Sequence, residues 1–150
     1  MLRGNLPAKM DAKGRLKIPA SFRKLIEDAY GDKVFVTSLN GQSARIYPSP
    51  VWEELETKVG SPPLMRPEKV KFLERANYWG QETIMDNQGR VLLQKRLREV
   101  AQLNDEVAVL GNVNYLEVWN HAALRERMEA DPFTDEDAAR LADALGSGKV

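Results

Sequence analysis

The 150-residue sequence contains no cysteine and one histidine, His121. Without cysteine the chain can form no disulfide framework, no thiolate metal site and no cysteine nucleophile. Its apolar runs fall far short of the roughly 18 residues that a membrane-spanning helix needs. The first residues, MLRGNLPAKM, contain no apolar stretch that could serve as a signal peptide, so we expect a cytoplasmic protein.

The chain has no net charge, because 22 basic residues balance 22 acidic residues. This total argues against a uniformly basic nucleic-acid binder. The charges are unevenly distributed, however. Residues 1–24 hold seven basic residues and one acidic residue, whereas residues 121–150 hold four basic and seven acidic residues. A neutral chain of this kind can present one strongly positive face, which either binds a polyanion or is simply a solvated surface.

The pattern Met-Asp-x-x-Gly-Arg occurs twice, at residues 10–15 and 85–90. Apolar and polar side chains alternate on both sides of the first copy, which predicts a β-hairpin with one buried face, and the second copy follows the same order. Within each turn the glycine can adopt a positive φ and the aspartate can accept hydrogen bonds from backbone N–H groups. The four residues predicted to shape the turns are Asp11, Gly14, Asp86 and Gly89.

The elements that follow the two copies also correspond. A short amphipathic helix is predicted in ASFRKLIEDAY, ending at Gly31, and in QKRLREVAQL. Two strands follow each helix, around Asn40-Gly41 and around Gly111-Asn112. Neither copy is long enough to bury much apolar surface alone, so we expect both to share one sheet system, of which a closed barrel is one form. The predicted units are a first repeat at 5–52, a helical connector at 53–80, a second repeat at 81–124 and an acidic helical tail at 125–150.

The connector is predicted to hold two helices, in PSPVWEELETKVG and EKVKFLERANYWG, separated by the proline-rich break SPPLMRP. Phe72, Tyr78 and Trp79 are expected either in the core or at an interface between subunits. A further helix, HAALRERMEA, follows Trp119. After Asp131 the sequence predicts a short helix with a frayed Gly-Ser-Gly end.

Turn formation does not explain the arginine that ends each pattern. Strand alternation places Arg15 on the polar face, and Arg90 stands at the equivalent position, so the two guanidinium groups form a repeated donor array suited to phosphates and guanine edges. A two-stranded ribbon fits the major groove of B-DNA. We therefore predict that both arginines contact DNA directly. The candidate phosphate contacts are the nearby basic residues Arg3, Lys9, Lys13 and Lys17.

Catalysis has less support in the sequence. His121 has no visible metal or nucleophile partner and is expected to cap a helix or lie on the surface. Asp11 and Asp86 could act as a general acid–base pair, but turn formation already explains both. The sequence contains no phosphate-binding loop, dinucleotide-binding fingerprint or zinc-ligand spacing, so we expect neither enzyme activity nor a cofactor or metal site.

The stretches MDAKGRLKIPASFRKLI and MDNQGRVLLQKRLREVA resemble the MraZ family, within the AbrB/SpoVT/MazE-like swapped-hairpin superfamily. The resemblance covers about residues 1–130. It implies an α+β fold centred on a double-split β-barrel of two pseudo-symmetric halves, flanked by helices, and assembly into a homo-oligomeric ring. It also implies a nucleoid-associated transcriptional regulator that binds double-stranded DNA at direct repeats upstream of the division and cell-wall gene cluster, including its own promoter. The DNA-facing signature of the family falls on Asp11, Gly14, Arg15, Asp86, Gly89 and Arg90.

The second copy departs from the first in two ways. Gln94 stands where the first copy has Pro19, and the second turn tip carries no basic residue. We therefore expect the first copy to supply more of the attraction to DNA. Two other binding functions stay open at this point, namely an antitoxin-type regulator of the same superfamily and an oligomeric scaffold whose basic face binds an acidic protein.

Overall fold

The computed structural model of the chain describes residues 1–63, 66–146 and 148. Strands and helices alternate along these residues, so the predicted α+β class is confirmed. In chain order the elements are β1 (Leu2–Lys9), β2 (Arg15–Lys17), α1 (Ala20–Tyr30), β3 (Lys33–Thr37), β4 (Ala44–Pro48), α2 (Ser49–Val59), α3 (Pro67–Tyr78), β5 (Gln81–Ile84), β6 (Arg90–Leu92), α4 (Lys95–Val100), β7 (Glu106–Val113), β8 (Tyr115–Trp119), α5 (His121–Ala130) and α6 (Asp135–Leu145).

Six strands form one antiparallel sheet in the order β1-β7-β8-β4-β3-β5. This order is symmetric about its centre, because β5, β3 and β4 of one half mirror β1, β7 and β8 of the other. The strand that precedes each repeated pattern, β1 or β5, pairs with the two-stranded unit that follows the other pattern. The two halves of the chain therefore exchange their first strands.

The remaining strands, β2 and β6, pair with each other as a short antiparallel ribbon. The prediction that β1 and β2 pair as a hairpin is wrong, since a single bridge between Met10 and Leu16 connects them. An isolated two-stranded hairpin is only marginally stable in water. Pairing across the two halves instead adds β1 and β5 to a larger sheet.

A closed barrel is not formed within the described part of the chain. The six-stranded sheet ends at β1 and β5, and the ribbon is hydrogen-bonded as a separate sheet. The main core contains one face of the large sheet, the inner residues of the ribbon and the buried faces of α1 and α4. Leu16 and Val91 occupy the centre of the ribbon and are fully buried in this core. The ribbon is thereby held firmly at the surface of the main core.

The opposite face of the large sheet carries two smaller apolar clusters. One contains Tyr47, Trp52 and Ala76, and it joins α2 and α3 to β4. The other contains Trp119 and Leu124, and it holds α5 against the sheet. Helices therefore cover the face that lies away from the ribbon.

The predicted helices are present, with some differences in detail. Leu25 and Val100, two apolar residues of the helices predicted to be amphipathic, are exposed. The turn between β7 and β8 lies at Val113 and Asn114, after the predicted Gly111-Asn112 position, and Val113 has a φ of +68°. Val100 and Val113 are the last residues of α4 and β7, whereas Leu25 lies in the middle of α1.

The aromatic residues of the connector occupy different environments. Phe72 and Trp79 are partly buried against apolar clusters, whereas Tyr78 is 60% exposed. The predicted proline-rich break contains Leu64 and Met65, which lie outside the described residues. The predicted frayed end likewise contains residues outside them, namely Ser147, Lys149 and Val150. Among the described helices, none has the length and apolar character needed to cross a membrane.

Candidate nucleic-acid interface

The repeated pattern forms two turns, here called the first loop (residues 10–15) and the second loop (residues 85–90). In the first loop, Oδ1 of Asp11 accepts hydrogen bonds from the backbone N–H groups of Lys13 (2.9 Å) and Arg15 (2.8 Å). Oδ2 of the same carboxylate accepts a hydrogen bond from Nε of Arg15 (2.7 Å). The N–H of Gly14, which has a φ of +83°, donates to the Asp11 carbonyl (3.1 Å). One carboxylate thus closes the turn and holds the arginine side chain.

The second loop repeats this geometry. Oδ1 of Asp86 accepts from the backbone N–H groups of Gln88 and Arg90, both at 2.9 Å, and Oδ2 accepts from Nε of Arg90 at 2.8 Å. The N–H of Gly89, with a φ of +76°, donates to the Asp86 carbonyl (2.9 Å). The positive φ of each glycine is a conformation that residues with a Cβ adopt at a cost.

These contacts lower the pKa of both loop carboxylates below the ordinary value of 3.8. The largest cause is the hydrogen bond from the backbone N–H of Arg15 to Asp11, and from that of Arg90 to Asp86. Desolvation acts in the opposite direction but is smaller than this hydrogen bond, and the guanidinium and the other backbone N–H lower the pKa further. Asp11 and Asp86 are therefore carboxylates at neutral pH.

Arg15 and Arg90 lie at the surface with part of each side chain exposed, 31% and 26% respectively. Their Nε atoms are held by the loop carboxylates, whereas Nη1 and Nη2 of both arginines donate to no protein group in residues 1–63, 66–146 and 148. Each arginine is thus paired with a carboxylate but is not fully buried. Each loop therefore holds its arginine at Nε and leaves the two terminal nitrogens without a hydrogen-bond partner among the described residues.

The outward face of the ribbon carries three basic residues. Arg15 lies opposite Leu92, and Lys17 lies opposite Arg90, while Leu16 and Val91 point into the core. Cross-strand partners on one face are close neighbours, so Lys17 and Arg90 form a like-charge pair. Such a pair is unfavourable in the free protein and becomes favourable when an anion lies between the two side chains.

The two loops are also joined to each other. The N–H of Ile18 donates to the carbonyl of Gly89 (2.9 Å), and the N–H of Leu93 donates to the carbonyl of Gly14 (3.0 Å). These two bonds are pseudo-symmetric and flank the ribbon at its two ends. They fix the distance between the loops, and hence the distance between the two arginines.

The predicted phosphate contacts occupy several places on the surface. Lys13 is exposed at the tip of the first loop, and Lys17 is exposed on the ribbon. Lys9 is exposed at the end of β1, where it lies opposite Glu106. Arg3 lies near the other end of β1, roughly 20 Å away at about 3.3 Å per residue, and the structure does not bring it to the loops.

Two further arginines, which were not among the predicted site residues, contact the loops. The guanidinium group of Arg98 on α4 lies against Gly14 of the first loop, and Arg23 on α1 lies against Gly89 of the second loop. Their spacing is a signal that was present in the sequence, because each stands eight residues after the arginine of its own copy. Each arginine therefore packs on the loop of the opposite copy.

The same region offers little for catalysis. Each loop carboxylate is bonded to its own arginine and has a lowered pKa, which is the opposite of what a general acid needs. His121 is exposed at the start of α5, where Asn120 supplies the cap by accepting the N–H of Ala123 (3.0 Å). In the part of the chain that the structure describes, no three His, Asp or Glu side chains form a group that could hold a metal ion.

Comparison with known proteins gives a consistent result. The family described as "MraZ protein, putative antitoxin-like" matches residues 1–75 and 80–143. The chain is 50% identical over 143 residues to the transcriptional regulator MraZ of Acidobacterium capsulatum, which covers 95% of this chain and 98% of the relative. It is 46% identical over 144 residues to the protein of the same name from Koribacter versatilis, with 95% and 98% covered. A third relative of that name, from Pseudoalteromonas atlantica, is 32% identical over 140 residues, with 93% and 92% covered.

Proposed function

Because the chain belongs to the MraZ family, we propose that it is a transcription regulator that binds double-stranded DNA sequence-specifically through its two arginine loops. The name that its relatives carry supports transcription regulation and DNA binding, and implies a protein that is not an enzyme. The observation that carries the proposed mechanism is the presence of two matching guanidinium groups on one joined pair of loops. Each is held at Nε by a carboxylate, and its terminal nitrogens donate to no protein group among the described residues.

Sequence reading is assigned to Arg15 and Arg90. An arginine pairs with a guanine by donating from two nitrogens to O6 and N7 in the major groove. The loop carboxylates restrict each side chain before DNA arrives, which reduces the conformational entropy that is lost on binding. The bonds between the loops keep both arginines at a constant separation, so that two base positions are read together.

We assign to the lysines the part of the affinity that does not depend on the base sequence. Lys13 at the tip of the first loop and Lys17 on the ribbon are exposed and suited to phosphate contacts. Each neutralised phosphate releases counterions and makes binding more sensitive to salt. Lys9 is a weaker candidate because Glu106 lies opposite it, and Arg3 would require DNA that extends well beyond the loops.

The remaining family expectations are included in the proposal. The chain would be organised as repeats at 5–52 and 81–124, with a connector at 53–80 and a tail at 125–150. The crossed pairing of β2 with β6 would be its form of the swapped-hairpin, double-split barrel. Subunits would assemble into a ring that engages direct repeats upstream of the division and cell-wall genes, including the chain's own promoter, in the cytoplasm at the nucleoid. Exposed apolar residues such as Tyr78 and Val70 are available for subunit contacts.

Binding of the full chain to its own upstream DNA, compared with a scrambled duplex of the same composition, tests this function. We expect tighter binding to the upstream DNA at every salt concentration and a strong loss of affinity for both duplexes as salt rises. Lys13→Ala should weaken binding to both duplexes equally. Lys58→Ala, which removes an exposed lysine on α2 far along the chain from the loops, is the matched control and should have no effect. Equal affinity for the two duplexes would refute sequence-specific binding.

A further inference from the structure

We propose, on the basis of the DNA-binding function above, that Arg98 is a phosphate-binding residue which the second copy supplies to the surface of the first loop. Its pseudo-symmetric counterpart Arg23 is assigned a structural role alone. The two arginines are related by the same 75-residue offset that relates the loops. The difference between them lies in their partners.

The head group of Arg98 is held beside the first loop. A Cβ built on Gly14 would lie 2.5 Å from Cζ of Arg98, 2.6 Å from Nε and 2.7 Å from Nη2, so the guanidinium group is in direct contact with the glycine. Nε of Arg98 donates to the carbonyl of Leu93 (3.0 Å). The side chain is only partly buried, and its Nη1 and Nη2 donate to no group among the described residues. These two nitrogens are therefore available to an external acceptor.

Arg23 uses its donors within the protein. Its Nε is paired with Oε1 of Glu27 at 2.5 Å, and its Nη2 donates to the carbonyl of Asn87 in the second loop (2.9 Å). It therefore clamps α1 to the second loop, and its charge is compensated by a carboxylate four residues along its own helix. An external phosphate would have to compete with Glu27 for this group.

The second copy has no glutamate at the position that corresponds to Glu27. The residue 75 positions after Glu27 is Gln102, an uncharged amide, and the acidic neighbour of Arg98 on α4, Glu99, pairs with Lys95 at 3.9 Å. The loop carboxylate of Asp11 is bonded to Arg15. The first loop contributes Lys13 and Arg15, and Arg98 adds a third cation, whereas Asp11 is the one carboxylate within residues 10–15.

The location of Arg98 favours a phosphate over a base edge. It lies beside the loop and not on the outward face of the ribbon, which is the face that would enter the groove. A group that flanks an inserted ribbon meets the sugar–phosphate backbone that borders the groove. The planar guanidinium fork matches the geometry of phosphate oxygens. The first loop would therefore bind DNA with residues of both copies, which adds to the advantage that Lys13 already gives it.

The test compares Arg98→Gln with its matched control, Arg23→Gln, in the full chain. Dissociation constants for the upstream duplex and the scrambled duplex are measured by fluorescence anisotropy between about 50 and 400 mM KCl, a range in which counterion release dominates. We expect Arg98→Gln to reduce the slope of log Kd against log salt concentration by about 0.9 on both duplexes, which corresponds to one lost phosphate contact. Arg23→Gln should leave the slope unchanged and lower the thermal midpoint of unfolding.

Two charge variants separate the phosphate contact from a packing effect at Gly14. Arg98→Lys keeps the charge and should keep the wild-type slope, whereas Arg98→Glu should lower it at least as much as Arg98→Gln. A wild-type slope in Arg98→Gln and Arg98→Glu, or an equal reduction in the Arg98 and Arg23 variants, would overturn the assignment of Arg98 while wild-type binding stands. Failure of the wild-type chain to bind either duplex would instead overturn the DNA-binding function itself.

Discussion

At the scale of single residues, each loop aspartate serves both the fold and the site. One carboxylate oxygen accepts two backbone N–H groups and closes the turn, while the other holds Nε of the arginine four residues later. Turn formation was the role predicted for Asp11 and Asp86 from the repeated pattern. The structure adds that they orient the side chains predicted to read DNA.

The lowered pKa of these carboxylates predicts a pH dependence of stability. A group whose pKa is lower in the folded state stabilises the fold above its unfolded pKa and loses that contribution as pH falls through the folded pKa. The window therefore begins near the ordinary value of 3.8 and extends below it. We expect wild-type protein to lose free energy of unfolding more steeply below about pH 4 than the Asp11→Asn/Asp86→Asn variant, as measured by urea denaturation across pH. Parallel curves for the two proteins would contradict this expectation.

Gly89 is predicted to be intolerant of a larger residue for two separate reasons. Its φ of +76° disfavours a Cβ, and a Cβ built there would lie 2.7 Å from Cδ of Arg23. Gly89→Ala should lower the free energy of unfolding by about 1–3 kcal/mol. The steric part should shrink in an Arg23→Ala background, so a double-mutant cycle measured by urea denaturation should show coupling between the two sites. If the two free-energy changes are strictly additive, the side chain of Arg23 moves aside without cost, and the steric part of this prediction is wrong.

The roles of the two helix-borne arginines follow from packing between distant parts of the chain. Arg23 and Arg98 were counted only as charge or as helix residues, although both follow the loop arginine of their copy at the same distance. Their role depends on packing against the glycine of the opposite loop. Such a contact between distant parts of the chain cannot be derived from one copy by itself.

At the scale of elements, helices could be predicted from neighbouring residues, whereas the pairing of distant strands could not. The helix of residues 20–30 was predicted because Pro19, an apolar stripe and Gly31 all lie within one short segment, and the structure confirms it. Strand positions were also predicted from alternation. Which strands pair was not predictable from that pattern, because alternation states only that one face is buried and is satisfied equally by a hairpin or by strand exchange.

In the ribbon of β2 and β6, the like-charge pair of Lys17 and Arg90 is predicted to lower the stability of the fold and to raise its affinity for DNA. Lys17→Leu reproduces the residue of the second copy and removes the like-charge pair with Arg90, so the free energy of unfolding should rise by about 0.2–1 kcal/mol. The same change should weaken binding to every duplex and lower the salt slope by about 0.9. Leu92→Lys, which places a lysine opposite Arg15, should do the reverse in both measurements. Thermal unfolding and anisotropy titrations check the pair, and a change of stability and affinity in the same direction would contradict it.

At the scale of the whole molecule, strand exchange makes the two copies one body. Each outer strand of the large sheet comes from one copy and pairs with the other, and the loops are bonded to each other as well. The position of one arginine relative to the other is therefore set by the fold as a unit. This constant separation is what a regulator needs in order to read spaced base pairs.

The proposed assembly into a ring predicts a dependence on the number of DNA repeats. Once one subunit is bound, the next contact is intramolecular, with an effective concentration up to about millimolar. A duplex with several direct repeats should therefore bind roughly 100-fold or more tighter than a duplex with one repeat, in titrations at equal salt. Inverting every second repeat at the same spacing is the control, and it should remove most of the gain. Affinity that is independent of repeat number would contradict a ring that engages several repeats at once.

The most direct measurement is the ratio of affinities for upstream and scrambled DNA at one fixed salt concentration, for the wild-type chain, Arg15→Ala and Arg90→Ala. Each substitution should reduce binding to the upstream duplex by about 1–3 kcal/mol, or roughly 5- to 150-fold, and should affect the scrambled duplex much less. The ratio would then fall with each arginine removed. If both variants fold and keep the wild-type ratio, the loop arginines do not read DNA sequence, and the proposed recognition through the two loops is wrong.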